Sequence, residues 1–210
     1  MWAYGYLYLM FMPPRKMNKP EHSDQNFVAV LNHQSYIDSV ILFPAVPGYF
    51  RPLGKIEMTK IPLFGFVYRQ IVLLVDRSSA HSRALSMKLM TRALRRECNV
   101  AIFPEGTFNE TEVPVIKFYD GAFRMAIAAQ QPILPILLPD TAARWDWSAW
   151  WKFSPGKNRI YYLPLVHTKG LTQDDLPELR ERVRQMMGEA LIKLGVKQPE
   201  VLPADLVLND

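Results

Sequence analysis

Two periodicities of apolar residues run along this chain. Short runs at 27–31, 71–75, 100–103, 133–137 and 159–163 have strand length, and polar or turn-forming residues bound them, so they predict buried β-strands. Between the second and third runs, residues 80–97 place Leu85, Leu89, Ala93 and Leu94 on one predicted face. Arg83, Lys88, Arg92, Arg95 and Arg96 fall elsewhere, as in an amphipathic helix whose basic face is solvated. Later, Leu176, Leu179, Val183, Met186, Ala190, Leu191 and Leu194 recur at helical steps behind Asp174 and Asp175, acids that favour a helix start. Strands alternating with helices predict an α/β fold, a single layered domain with a mostly parallel central sheet flanked by helices. Within the run at 133–137, Pro135 cannot donate to a ladder, which predicts a strand near the sheet edge.

The ends depart from this alternation. Residues 1–12 hold Trp2, Tyr4, Tyr6, Tyr8 and Phe11 and no charge, and Pro13-Pro14-Arg15-Lys16 stops the run. A spanning helix needs about 20 apolar residues, so this stretch is too short to cross a bilayer alone. It lacks the basic start and small-residue finish of a signal peptide. Two readings stand: a terminal helix packed on the core, and a segment lying in a membrane interface. The aromatic rings and the Arg15, Lys16, Lys19 flank favour the second. Residues 1–20 are therefore expected to form an apolar and basic membrane-associating segment, 21–198 the folded domain and 199–210 a tail.

Composition narrows the class of partner. A chain of 210 residues that is 49% apolar suits one packed domain. Twenty-five Lys and Arg against 20 Asp and Glu give a net charge of +5, which favours an anionic partner: a nucleic acid, an anionic membrane or a phosphorylated substrate. The single cysteine, Cys98, rules out an intrachain disulfide framework and fits a reducing compartment. No cluster of His, Cys or carboxylates has ligand spacing, so no metal is expected.

Of the four histidines, His33 alone follows a predicted buried strand directly, in the polar turn Asn32-His33-Gln34-Ser35. Active groups of α/β folds gather at such carboxyl ends of strands. Five residues on, Asp38 stands near the start of a helix that Ser35 caps. A carboxylate there can accept from a histidine Nδ1–H and leave Nε2 as a general base. Ser35-x-x-Asp38 also reads as a plain capping box, and the two readings are compatible. A second strand feeds into Phe103-Pro104-Glu105-Gly106-Thr107, where glycine admits close backbone approach and Glu105 can hold either the loop or a substrate hydroxyl. Lys55 and Arg77 are isolated cations able to clamp a phosphate, or simply solvated charges. Four of the five tryptophans fall between Trp145 and Trp151, which suits either interfacial anchoring or packing against the sheet.

In their order and spacing these segments resemble the PlsC-type glycerolipid acyltransferase family, typified by bacterial 1-acylglycerol-3-phosphate acyltransferase. The family pattern is Asn-His-x-x-x-x-Asp, then Val-Asp-Arg, then Phe-Pro-Glu-Gly-Thr, then a proline-containing apolar strand. Here these stand at Asn32 to Asp38, Val75 to Arg77, Phe103 to Thr107 and Pro132 to Ile136, and the intervening Asp120-Gly121-Ala122-Phe123 resembles the family's Gly-Ala-Phe helix start. The resemblance implies that His33 takes the proton from the acceptor hydroxyl, that Asp38 orients His33, and that the hydroxyl attacks an acyl-CoA or acyl carrier protein thioester with no acyl-enzyme. It places acceptor binding at Lys55, Arg77 and the Glu105-Gly106-Thr107 turn, with Asn32 beside them. It implies no cofactor beyond the acyl co-substrate, no nucleic-acid partner, and a place at the cytoplasmic face of the cell's inner membrane. One departure stands out: the family commonly has a cation directly after this threonine or one residue later, and here Phe108 follows. Two outcomes follow: Lys55 and Arg77, with Lys117 or Arg124, suffice for a phosphate, or the acceptor is a lyso-lipid other than 1-acylglycerol-3-phosphate, such as a lyso-aminolipid. A thioesterase using the same pair, and a basic lipid- or nucleic-acid-binding module, are the remaining alternatives.

Overall fold

The computed structural model describes residues 2–60, 64–75, 79–145, 148 and 151–196. In chain order the elements are α1 (Trp2–Leu9), β1 (Pro14–Lys16), β2 (Val28–Leu31), α2 (Asp38–Ala45), β3 (Phe50–Lys55), α3 (Phe64–Ile71), β4 (Leu73–Val75), α4 (Ala80–Arg96), β5 (Asn99–Ile102), α5 (Gly121–Ala129), β6 (Ile133–Leu137), α6 (Thr141–Arg144), β7 (Asn158–Tyr162) and α7 (Leu176–Lys193). The strands form one seven-stranded sheet in the order β1-β7-β6-β2-β5-β3-β4, with every neighbouring pair parallel except β6 and β7. A single α/β domain with a mostly parallel sheet flanked by helices therefore stands as expected.

Two hydrophobic layers enclose the sheet, and alternation along the strands assigns residues to each. Val28 and Val30 face a layer built with α4, α5 and α7, where Leu94, Phe123 and Val183 are buried. Ala29 and Leu31 face the opposite layer, built with α1 and α2, where Leu7, Ile37 and Ile41 are buried. β2 is buried along its whole length because it lies at the centre of the sheet with helices on both faces.

Several expectations need correction. β6 is third in the sheet order and not near an edge, despite Pro135. The carbonyl of Pro135 accepts from Leu163 N–H at 3.0 Å. Because N–H and C=O of one strand residue point the same way, the donor that proline lacks would also face β7. There the ladder is broken, between the Ile133–Val166 bridge and the Ile136–Tyr162 pair. On α4 the buried stripe is Ser86, Met90, Ala93 and Leu94, whereas Leu85 and Leu89 are 52% and 57% exposed. α7 buries Met187 in place of Met186. β3 and β1 were not foreseen, because Arg51, Pro52 and Gly54 interrupt one and Arg15 and Lys16 dominate the other.

The N-terminal residues form a helix of eight residues packed on α2. Ala3 and Leu7 are buried, and Trp2 meets Phe43 edge-on at 5.0 Å. Tyr4, Tyr6, Tyr8, Leu9 and Phe11 remain exposed. Among the described residues no helix is long and apolar enough to cross a membrane. The expected tail at 199–210 lies outside the described residues.

Candidate active site

Register brings the site together. β2 pairs with β5 so that Val30 faces Ile102, and with β6 so that Leu31 faces Ile136. The turns leaving three adjacent parallel strands therefore emerge side by side at their carboxyl ends, where such sheets open a crevice. Asn32 and His33 leave β2, Glu105 leaves β5 and Leu138 leaves β6.

Each turn is tied to its neighbour by a buried side chain. The Asn32 amide donates to Leu138 C=O at 3.1 Å and accepts from Leu138 N–H at 2.8 Å. Both ends of a fully buried amide are thus satisfied by one backbone residue. One oxygen of buried Glu105 accepts the His33 backbone N–H at 2.8 Å, and the other accepts Ile116 N–H at 3.1 Å. The His33 carbonyl takes the Asn109 N–H at 2.7 Å, so the histidine backbone is fixed on both sides.

The His33 ring is fixed as well. Its Nδ1 lies 2.9 Å from Asp38 Oδ2, and that same oxygen accepts Gln34 N–H at 2.6 Å and Ser35 N–H at 2.8 Å. A carboxylate so placed can only accept, so Nδ1 carries the proton and Nε2 presents its lone pair outward. Nε2 has no partner among the described residues. Asp38 is fully buried while the His33 side chain is 16% exposed, so the pair is covered on the aspartate side and open at the imidazole. Phe103 stacks on the ring at 4.1 Å with planes 16° apart, and Phe108 meets it edge-on at 4.4 Å. Tyr36 extends the aromatic wall, touching Phe108 at 5.1 Å and Trp145 at 6.0 Å.

The capping reading is half correct. Asp38, in the first turn of α2, reaches back to the Ser35 N–H as a capping box requires. The Ser35 hydroxyl instead accepts from Ile37 N–H at 3.2 Å and donates to Trp145 C=O, which seats the turn on the segment after α6.

Residues 15–138 match the family model described as Acyltransferase, more than half of the 210 residues. The chain belongs to the PlsC-type acyltransferase family. Human 1-acyl-sn-glycerol-3-phosphate acyltransferase alpha is 32% identical over 165 residues, 78% of this chain and 58% of that protein. The human beta enzyme is 28% identical over 175 residues, 82% of this chain and 62% of that protein. The chain thus spans about three fifths of the length of these relatives. The crystal structure of the 1-acyl-sn-glycerophosphate acyltransferase PlsC from Thermotoga maritima shares the fold, with a TM-score of 0.76 at 22% identity, covering 94% of this chain and 78% of that one.

Of the residues that the sequence singles out, the structure brings together Asn32, His33, Asp38, Glu105 and Gly106. Asn32 and Glu105 are buried and bond backbone groups of the site's own turns, which ties the turns together. Gly106 has φ +70°, and a Cβ there would come within 2.9 Å of the Tyr119 ring. Its N–H is already bonded to Phe103 C=O at 3.1 Å, so it does not contribute to an anion cradle. Thr107 is exposed at the turn. Lys55 ends β3, two strands from β2 in the sheet, and its side chain lies outside the described residues, as does all of Arg77. Lys117 is exposed, and Arg124 is ion-paired with Asp120 at 3.8 Å. Of the tryptophan segment, Trp145 packs in the aromatic wall and Trp151 is exposed, while Trp147 and Trp150 are outside the described residues. The aromatic walls at Phe103, Phe108 and Tyr36 were missed as site residues; the only signal was their place beside the two motifs.

Proposed function

We propose that this acyltransferase moves a fatty acyl group from a thioester donor, acyl-CoA or acyl carrier protein, to the sn-2 hydroxyl of 1-acylglycerol-3-phosphate, giving phosphatidic acid. The observation that carries the mechanism is the His33–Asp38 contact of 2.9 Å with Nε2 facing outward. Nε2 takes the proton of the acceptor hydroxyl as its oxygen bonds to the thioester carbonyl carbon. The tetrahedral intermediate then collapses with loss of the thiolate, which receives the proton from the imidazolium. The proton and the acyl group are both accounted for, and no covalent acyl-enzyme is needed. Asp38 orients the ring and stabilises its charged form. Phe103 and Phe108 hold the ring plane and limit access of water to the base.

The substrate assignment is supported by the names of the relatives and by the net positive charge, which favours a phosphorylated acceptor. Phe108 supports a second reading. It places an aromatic edge against His33 where the family pattern has a cation, which favours an acceptor with a less anionic headgroup, such as a lyso-aminolipid. The exposed rings of α1 with Arg15, Lys16 and Lys19 suit an interfacial position on the membrane that holds the acceptor, at its cytoplasmic face. The test offers palmitoyl-CoA with lysophosphatidic acid or with a lyso-aminolipid in detergent micelles. Phosphatidic acid as the dominant product supports the first reading, and turnover confined to the aminolipid replaces it with the second. Release of free palmitate without an acceptor product would mark a thioesterase.

A further inference from the structure

α4 and α5 lie side by side on the sheet face opposite α1 and enclose an open groove of about 930 Å³. It is lined by Ala84, Met87, Thr91 and Ala128 and by cations: Arg83, Lys88, Arg92, Arg95 and Arg96 from α4, and Arg124 from α5, the last also paired with Asp120 at 3.8 Å. Among the described residues no acidic side chain lines it. Arg95 reaches across to the Ala128 carbonyl and joins the two walls. Lys88, Arg92 and Arg96 have no acidic partner among the described residues. Beside the groove, exposed Leu85 and Leu89 stand in line with Arg92 and Arg96, at helical spacings of i, i+4, i+7 and i+11.

We propose that this groove docks an acidic amphipathic helix of a soluble carrier protein that delivers the acyl thioester. The proposal rests on the acyl-transfer reading above. A groove lined by both apolar side chains and cations matches the helix-in-groove mode of recognition, with a partner that carries carboxylates flanking an apolar stripe. From Arg83 to Arg96 the cations extend about 20 Å along α4 at 1.5 Å per residue, the length of several helical turns and more than a single phosphate cluster covers. The groove lies on the opposite sheet face from the exposed aromatic helix α1. With α1 at the bilayer, the cations look into solvent, which favours a soluble partner over lipid headgroups. The groove also reaches the catalytic edge of the sheet. α5 begins where Tyr119 N–H bonds Pro104 C=O at 2.8 Å, one residue from Glu105, and Arg83 and Arg124 both sit in first turns at that edge.

The test is a triple charge reversal, Lys88→Glu with Arg92→Glu and Arg96→Glu, on exposed positions away from His33. Transfer to lysophosphatidic acid is followed from palmitoyl-CoA and from the palmitoyl thioester of an acyl carrier protein, and binding of the unloaded carrier is measured by titration calorimetry. The expected result is a loss of about 10- to 10³-fold in kcat/KM with the carrier donor, unchanged turnover of palmitoyl-CoA, and loss of carrier binding. A parent protein that binds no carrier overturns the proposal, as does a variant that loses both donors equally or neither. Loss of binding to phosphatidylglycerol vesicles in the variant, with no carrier binding by the parent, assigns the groove to the membrane instead. If the parent turns over neither donor, the acyl-transfer reading fails, and the calorimetric arm still decides the groove.

Discussion

Asp38 serves two purposes with one oxygen: it closes the turn before α2 by accepting two backbone N–H groups, and it sets the tautomer of His33. These purposes separate under substitution. Asp38→Ala strands two buried donors and is expected to lower stability by about 2–4 kcal/mol along with activity, whereas Asp38→Asn keeps an acceptor and is expected to lose activity far more than stability. Denaturant unfolding beside kcat distinguishes them, and equal stability of the two variants would contradict the shared role. Asn32 makes a different case, because its amide is committed to Leu138. Asn32→Ala is expected to cost about 1–3 kcal/mol of folding stability with the acceptor KM unchanged. A raised KM in a fully stable variant would return Asn32 to the substrate. The His33–Asp38 pair was legible because its five-residue spacing is local and bridges a strand end and a helix start. The positions of Asn32 and Glu105 were not, since their partners lie far along the chain, at Leu138 and Ile116, and only the sheet register brings them close.

Strand and helix positions were legible wherever burial on both faces left an uninterrupted apolar run, as at β2, β5 and β6. They were not legible in β3, whose apolar run Arg51, Pro52 and Gly54 interrupt, or in β1, where Arg15 and Lys16 dominate, yet the backbones of both complete the sheet. α4 shows how a helix can be foreseen with its face misjudged. Leu85 and Leu89 suggested one buried stripe, but the packed residues are Ser86, Met90, Ala93 and Leu94, rotated around the axis. Leu94→Ala is expected to cost about 2–5 kcal/mol and Leu85→Ala under about 0.5 kcal/mol. Comparable losses for the two, read from urea unfolding, would contradict this rotation. The exposed leucines then belong to the outer surface beside the cationic groove, where a partner and not the core gives them a role.

At the scale of the molecule the sheet separates two surfaces. One carries α1 with its exposed rings, and the other carries α4, α5 and α7. If α1 holds the enzyme at the interface, replacing Tyr8 and Phe11 by Ser is expected to reduce sedimentation with anionic vesicles while turnover of a micelle-dispersed acceptor persists. Unchanged vesicle binding would remove α1 from that role. Between the surfaces, at the carboxyl edge of the strands, lies the His33–Asp38 pair on which the proposed mechanism rests. The most direct test is transfer of radiolabelled palmitoyl from palmitoyl-CoA to lysophosphatidic acid, comparing the parent with His33→Ala at matched folding. Removal of a general base is expected to lower the rate by about 10² to 10⁴ with the variant still folded. Equal rates in the two proteins would contradict the assignment of His33 as the base.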